Sequence, residues 1–267
     1  MIETRTIRVG DARIAVHTTG RGPLALLVHG YPLDHRMWLD LMHGELAAHR
    51  TLCAVDLRGH GDSPWALDRC HAMELFADDL AAVLRSLDDG PADVVALSMG
   101  GYAALALCER HPLAVHSLAL VDTRASADTP EGKAGRTAAM QNVLERGRRW
   151  LAEQMVPKLV SPGCDALVRA RVQTMVESLA VETILADLEG MRERKNRRVV
   201  LPQLAMPVLV VVGALDVITP PSDAEAMQKE IPGAQLAVIP DAGHLVPMEA
   251  PGPFAAALGA FWGVEIS

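Results

Sequence analysis

Short apolar runs separated by longer helical patterns recur along this chain of 267 residues, and the alternation restricts the folds it can adopt. The runs are LALLVHG, RTLCAVDL, ADVVALS, HSLALVD, PVLVVVG and AQLAVIP. Consecutive apolar positions indicate strands covered on both faces, as parallel strands between helices are. The pattern therefore predicts an α/β fold in which helices flank a mostly parallel central sheet.

The amino-terminal part follows a different pattern. Near residues 5 to 18, polar and apolar positions alternate, and two runs are joined by the turn-forming pair Gly10-Asp11. We expect an exposed antiparallel hairpin there. Elsewhere, start and stop signals predict helices after Trp38, over residues 72–87, 99–109 and 222–230, and after Pro251.

Residues 124–202 interrupt the alternation. This segment contains no strand-like run and is rich in Arg, Glu, Met and Leu in a helical pattern. We interpret it as a helical cap inserted into a core domain formed by residues 1–123 and 203–267. Its basic run at residues 192–198, RERKNRR, is typical of a solvated helix end.

The net charge of the chain limits which classes of molecule it is expected to bind. A formal net charge of −8 argues against nucleic acid or an anionic membrane surface, because both bind clustered Lys and Arg. A small uncharged molecule fits better. The opening residues carry charges and lack the apolar core of a signal peptide, so we expect a cytoplasmic protein, either a monomer or a homodimer.

Metal and cofactor motifs are not apparent in the sequence. The four cysteines lack CxxC spacing, which predicts buried thiols rather than a disulfide frame or a zinc site. No Gly-rich phosphate loop follows a strand, so neither a metal nor a nucleotide cofactor is expected. The cysteines are Cys53, Cys70, Cys108 and Cys164.

The stretch ALSMGG places Ser98 between an apolar run and a helical pattern. A serine in such a strand-to-helix turn can hold its hydroxyl above the sheet edge, facing the amino terminus of the helix. Backbone N–H groups there can stabilise the oxyanion formed when the serine attacks a carbonyl carbon. Serine also caps helices, so the motif alone leaves both roles open.

Two further residues supply the base and the carboxylate that a nucleophilic serine requires. Asp216 follows the run PVLVVV, and His244 follows the run AQLAVIP. Both lie past the carboxyl ends of predicted strands, where open α/β sheets place their sites. The chain order Ser, Asp, His is one established order of a catalytic triad on such sheets.

Five motifs in this order resemble the α/β-hydrolase superfamily over essentially the whole chain. Besides the segments around Ser98, Asp216 and His244, they are HGYP at residues 29–32 and DLRGHGDS at residues 56–63. The resemblance implies the α/β-hydrolase fold and a catalytic triad of these three residues. It also implies chemistry without a cofactor.

The same resemblance implies an oxyanion hole formed by the backbone N–H groups of Tyr31 and Met99. One position departs from the family: Ala96 stands where the usual G-x-S-x-G has its first glycine, so tight packing is expected there. Asp122, at the end of the strand-like run LALVD, is a rival for the carboxylate. We favour Asp216 because GALDVITP resembles the common family pattern around the acid.

A serine nucleophile excludes the dehalogenases and epoxide hydrolases of this superfamily, which resemble each other in using aspartate. The resemblance implies a carboxylesterase that cleaves small, largely apolar esters through an acyl-enzyme. Lactonases such as 3-oxoadipate enol-lactonase, carbon–carbon bond hydrolases and haloperoxidase-like or perhydrolase-like relatives remain alternatives. A non-catalytic small-molecule-binding member of the fold is an alternative from a different class.

The cap is expected to set the substrate. Large flexible or aromatic side chains could line an apolar pocket or form the cap's own core. An arginine facing the pocket would favour an acidic lactone. The pocket candidates are Trp38, Met140, Trp150, Met155 and Met175, and the arginine candidates are Arg124, Arg148 and Arg149.

Overall fold

The predicted strands form one sheet in the computed structural model, which describes residues 1–87 and 90–266. They are β1 (Glu3–Val9), β2 (Ala12–Gly20), β3 (Leu24–Val28), β4 (Thr51–Val55), β5 (Ala92–Leu97), β6 (Val115–Val121), β7 (Val208–Gly213) and β8 (Gln235–Ile239). Their order across the sheet is β1-β2-β4-β3-β5-β6-β7-β8. Strand β2 pairs antiparallel with β1 and β4, and the other neighbouring strands are parallel. The predicted mostly parallel α/β fold is confirmed.

The helices lie between the strands in sequence. They are α1 (Leu39–Met42), α2 (Met73–Leu87), α3 (Met99–Arg110), α4 (Pro130–Leu159), α5 (Ala166–Ser178), α6 (Val181–Glu193), α7 (Pro221–Glu230), α8 (Val246–Glu249) and α9 (Pro251–Trp262). In α2, Phe76, Leu80 and Leu84 recur every four residues and are all buried, which is the amphipathic pattern that made this helix predictable. Over the described residues, no helix combines the length and the apolar character needed to cross a bilayer.

Position in the sheet decides how exposed the outer strands are. Strand β1 is an edge strand and is largely exposed, as predicted for the hairpin. Strand β2 lies between β1 and β4, so residues 14–17 are buried rather than exposed. Strand β8 forms the opposite edge, and Leu236 and Val238 are exposed although their run was expected to be covered on both faces. Sheet order, which a local pattern does not encode, explains both differences.

The segment between β6 and β7 contains α4, α5 and α6. Helix α6 packs on the loop that follows β4 through one backbone bond and one side-chain bond. The His71 N–H donates to the Ala186 carbonyl oxygen at 3.0 Å, and Thr183 Oγ1 donates to the Gly59 carbonyl oxygen at 3.2 Å. Helix α6 is therefore held against the loop that leaves the carboxyl end of β4.

The prediction that the basic run is a solvated helix end is wrong for two of its arginines. Arg194 and Arg197 are buried. Arg197 pairs with Glu74 at 2.6 Å and with Glu109 at 3.1 Å, and Arg194 pairs with Asp128 at 2.7 Å. Part of the run thus joins the inserted segment to the core, because buried guanidinium groups require carboxylate partners.

The four cysteines are free thiols. Cys53 and Cys108 are buried, as predicted, and burial raises the pKa of Cys53 to about 11 and that of Cys108 to about 12. Cys70 and Cys164 are only half-buried, so the prediction of buried thiols is wrong for these two.

Candidate active site

Ser98 occupies the turn between β5 and α3. Its backbone has φ 53° and ψ −113°, a conformation that L-residues rarely adopt. The Ser98 N–H donates to the Val121 carbonyl oxygen at 2.9 Å, and Thr123 Oγ1 donates to the Ser98 carbonyl oxygen at 2.7 Å. The Ser98 side chain makes no capping bond to α3, so its hydroxyl group is available for another partner.

Glycines allow this turn to approach the loop after β3. A Cβ atom on Gly100 would lie 2.5 Å from the Val28 carbonyl oxygen. One on Gly30 would lie 3.1 Å from the Ser98 Cβ atom. Side chains at these positions would push the two segments apart, which explains why the motif carries glycine there.

Three side chains from the ends of β5, β7 and β8 form one hydrogen-bonded series. Ser98 Oγ lies 2.9 Å from His244 Nε2, and His244 Nδ1 lies 2.8 Å from Asp216 Oδ2. All three are buried, and Ser98 keeps 8% of its surface exposed. The carboxyl ends of parallel strands meet at one sheet edge, which brings these distant residues together. An imidazole placed between a carboxylate and a serine hydroxyl can accept the serine proton.

The loop after β7 stabilises the ionised form of Asp216. Its Oδ1 accepts hydrogen bonds from Ile218 N at 2.8 Å and Thr219 N at 3.0 Å, and Thr219 Oγ1 donates to its Oδ2 at 2.6 Å. Burial alone would raise the pKa of Asp216, but the bonds from His244 and Thr219 lower it below its ordinary value. Sequence reasoning did not single out Thr219, although a threonine three residues after an aspartate in a loop is typical of such a turn.

Asp122, the rival carboxylate at the end of β6, has different partners. Its Oδ1 accepts from Gly213 N at 2.8 Å and its Oδ2 from Val246 N at 3.4 Å. Burial and the negative charge of Asp216 raise the pKa of Asp122 well above its ordinary value. The geometry therefore favours Asp216 as the carboxylate partner of His244.

The loop after β3 is fixed by His29 and carries Tyr31 beside the Ser98 turn. His29 Nδ1 donates to the carbonyl oxygen of the next residue at 3.0 Å, and its Nε2 accepts from Leu57 N at 3.0 Å. Burial lowers the pKa of His29, which favours its neutral form. Met99 is the first residue of α3, so its N–H has no acceptor within the helix. The segments that carry the two predicted oxyanion-hole donors thus meet at Ser98.

The predicted pocket residues lie in two kinds of surroundings. Trp38 is fully buried and its ring stacks on Phe254 with centroids 6.3 Å apart. Met140, Trp150 and Met155 on α4 are half-buried and pack against the core. A fully buried side chain offers no surface to a ligand in this conformation, so Trp38 contributes to core packing. Met175, on α5, is also buried.

The three arginines considered for an acidic substrate are placed differently. Arg124 donates to the Ile218 carbonyl oxygen and pairs with Asp223 at 3.2 Å, beside the loop that carries Asp216. Arg148 and Arg149 on α4 are exposed. Only Arg124 among the three is held near the site.

His17, His35, Asp56 and Asp62 have potential metal-ligand atoms within 4.8 Å of one another. The two imidazole rings stack with centroids 3.5 Å apart and planes 18° apart. Each nitrogen lone pair lies in its own ring plane, so stacked rings cannot both direct a lone pair at one ion without rotating. Asp56 Oδ2 already lies 3.0 Å from His17 Nε2 and 2.9 Å from His35 Nδ1. Asp56 also accepts a bond from Asp62 N at 2.8 Å, so its carboxylate joins the segments that carry His17, His35 and Asp62. This arrangement fits a structural role better than cation binding.

A second buried Asp–His group lies under α6. Asp187 Oδ1 is 2.7 Å from His71 Nδ1, and its Oδ2 is 3.0 Å from His60 Nε2. Burial raises the pKa of Asp187 to about 6, although the bond from His71 opposes this effect. No local spacing in the sequence indicated this group, because His71 and Asp187 are far apart along the chain.

Comparison with known proteins agrees with this fold. Residues 23–251 match the family model for the alpha/beta hydrolase fold. A pimeloyl-[acyl-carrier protein] methyl ester esterase from Neisseria meningitidis is 33% identical over 228 residues, which cover 82% of this chain and 85% of that protein. A solved structure of a thermophilic esterase from Thermogutta terrifontis superposes with a TM-score of 0.92 at 36% identity, covering 98% of each chain.

A third similar protein bears a different name. The dihydrolipoyllysine-residue acetyltransferase component of the acetoin cleaving system from Pseudomonas putida is 38% identical over 239 residues. The match covers 86% of this chain and 60% of that protein.

Proposed function

Since the chain belongs to the alpha/beta hydrolase fold family, we propose that it is a serine hydrolase that cleaves carboxylic esters of small, largely apolar substrates. The observation that supports this most strongly is the series from Ser98 Oγ through the His244 imidazole to the Asp216 carboxylate. Two similar proteins named above are esterases, which supports the same reaction class.

In the proposed reaction, Ser98 Oγ attacks the ester carbonyl carbon while His244 Nε2 takes its proton. Asp216 holds the imidazole tautomer and stabilises the imidazolium. The tetrahedral intermediate collapses as His244 returns the proton to the leaving alcohol, which produces an acyl-enzyme on Ser98. Water then attacks the acyl carbon with His244 as base, and the acid leaves.

The oxyanion of each tetrahedral intermediate is assigned to the backbone N–H groups of Tyr31 and Met99. The close approach of Gly30 to the Ser98 turn supports this assignment. The amino terminus of α3 adds a favourable dipole at the same point.

Residues 124–202 are proposed to act as a cap over a core domain formed by residues 1–123 and 203–267. Half-buried Met140, Trp150 and Met155 on α4 are its proposed contacts with an apolar acyl group. The flexible thioether side chains of methionine adapt to acyl chains of different length, so the cap would accept a range of apolar acyl groups rather than recognise one acid.

The proposal is tested by hydrolysis of p-nitrophenyl esters of increasing acyl length. Ser98→Ala should lower kcat by at least about 10⁴-fold. Ser222→Ala, which changes an exposed serine on α7, should leave kcat unchanged. The wild-type length profile then gives the capacity of the acyl site.

Inactivity of the folded wild type on all esters would contradict the esterase function, and lactones and ring-cleavage products would then be assayed. Binding of these compounds without turnover would favour a non-catalytic role. Equal turnover by Ser98→Ala and wild type would contradict Ser98 as the nucleophile.

A further inference from the structure

Asp122 is a second carboxylate at this sheet edge, besides Asp216, that bonds to the chain segments around both Asp216 and His244. It follows β6 directly and is fully buried. Its Oδ1 accepts from Gly213 N at 2.8 Å, and its Oδ2 accepts from Val246 N at 3.4 Å. Gly213 ends β7, three residues before Asp216, and Val246 follows His244 by two residues.

These two loops also meet at their backbones. A Cβ atom on Gly213 would lie 2.0 Å from the Gly243 carbonyl oxygen. The Leu215 N–H donates to the Ala242 carbonyl oxygen at 2.9 Å. Small relative shifts of the two loops would therefore change the distance between His244 and Asp216, and a side chain bonded to both restricts such shifts.

Asp122 is held in an unusual backbone conformation at this position. Its φ is 44°, in the left-handed region where Asp and Asn are the better-tolerated L-residues. Its own N–H donates to the Val211 carbonyl oxygen on β7 at 2.9 Å. Asp122 is therefore bonded to the end of β7 twice, through its backbone N–H and through its carboxyl group.

Asp216 has bonds to His244 and to its own loop, whereas the bonds of Asp122 within the described part of the chain go to main-chain N–H groups alone. On this ground, and resting on the proposed function, we propose that Asp122 is a positioning residue for the reaction. Its carboxyl group fixes the β7 loop against the His244 loop, so that His244 meets Asp216 and Ser98 at the same time.

The proposal is tested with Asp122→Ala, which removes both bonds, and Asp122→Asn, which keeps an oxygen for Gly213 N. Misplacement of reacting groups by about 1 Å costs roughly 100-fold in rate. We expect Asp122→Ala to lower kcat for p-nitrophenyl acetate by about 10- to 100-fold with little change in KM. Asp122→Asn should lose less, because it retains the shorter bond. The matched control is Asp93→Asn, a buried aspartate at the opposite end of β5 that bonds Ser117 and Arg50.

A second readout does not depend on ester turnover. The proton on His244 Nδ1, which bonds Asp216, is expected to give a low-field proton NMR signal in wild type. The signal should move or broaden in Asp122→Ala and Asp122→Asn and stay in place in Asp93→Asn. Failure of the esterase function would leave this signal and its response intact, so the two proposals fail separately.

Wild-type kcat and an unmoved signal in Asp122→Asn would overturn the positioning role, as would equal effects in Asp93→Asn. Loss of both activity and signal in Asp122→Ala with full activity in Asp216→Ala would also overturn it. That result would make Asp122 the acid that acts on His244. If Asp122→Ala does not fold, the near-isosteric Asp122→Asn decides.

Discussion

Two of the buried Asp–His groups of this protein, Asp216 with His244 and Asp187 with His60 and His71, differ in what surrounds the carboxylate. Asp216 accepts three bonds from Ile218 and Thr219 in addition to its contact with His244. Asp187 has side-chain contacts at 2.7 Å and 3.0 Å with two histidines, and its Oδ2 has no well-aligned donor. The three local donors favour the ionised form of Asp216, whereas burial raises the pKa of Asp187.

His244 and His71 also differ in the surroundings of Nε2, the ring nitrogen that faces away from the aspartate. His244 Nε2 meets Ser98 Oγ at 2.9 Å, whereas His71 Nε2 has no hydrogen-bond partner among the described residues. An Asp–His pair can therefore orient an imidazole toward a nucleophile or join a helix to a loop. The donors around the carboxylate and the group beyond the imidazole therefore distinguish the two roles.

The largest expected effect is the difference in kcat between Asp216→Asn and Asp187→Asn, each of which replaces a carboxylate by a neutral amide. Asp216→Asn should lower kcat for p-nitrophenyl acetate by about 10³- to 10⁴-fold, because the amide favours the wrong imidazole tautomer. Asp187→Asn should change kcat by less than about threefold, since its histidines do not contact Ser98. Similar losses in the two variants would remove the distinction between the groups.

A smaller effect is expected in the pH dependence of stability. The pKa of Asp187 is about 6 in the folded protein and near 4 in an unfolded chain. Folding therefore favours the protonated form, so the contribution of Asp187 to stability is full below pH 4 and is lost as pH rises through 6. Relative to Asp187→Asn, the wild type should lose roughly 2 kcal/mol of unfolding free energy between pH 4 and pH 7.

Urea denaturation of both proteins across this range measures the difference. A difference that stays constant with pH would contradict the raised pKa of Asp187.

The smallest expected effect concerns the donors around Asp216. Thr219→Val removes the hydroxyl bond to Asp216 Oδ2 and should raise the pKa of that carboxyl. We expect kcat/KM to fall by about tenfold, because one bond to a charged group is worth about 1.5 kcal/mol. The loss should be greater at low pH, where the carboxyl becomes protonated. Thr174→Val on the exposed part of α5 is the control, and an equal loss there would contradict the explanation.

The parts of the fold that sequence predicts well are those with a strong local pattern. Helices α2, α3 and α7 begin and end within one residue of their predicted bounds, because apolar spacing and turn residues define them. The burial of β2 and the exposure of β8 depend on which strands become neighbours. Local patterns carry no information on that order.

The candidate site shows the same division. Ser98, Asp216 and His244 could be placed at one sheet edge because each follows a parallel strand. The sequence alone could not decide which groups bond to Asp122. Asp122 and Asp216 both follow the ends of neighbouring strands, and only the course of the backbone shows which of the two carboxyl groups reaches His244. The contacts of Asp187 with His60 and His71 likewise arise only when α6 packs on the loop after β4.

Activation of Ser98 as a nucleophile by His244 and Asp216 is tested most directly by covalent labelling. The wild type, Ser98→Ala and Asp216→Asn would be treated with a fluorophosphonate, and the modified peptide identified by mass spectrometry. We predict one label per wild-type chain on Ser98, much slower labelling of Asp216→Asn, and none of Ser98→Ala. A label on another residue, or equal labelling of Ser98→Ala, would contradict it.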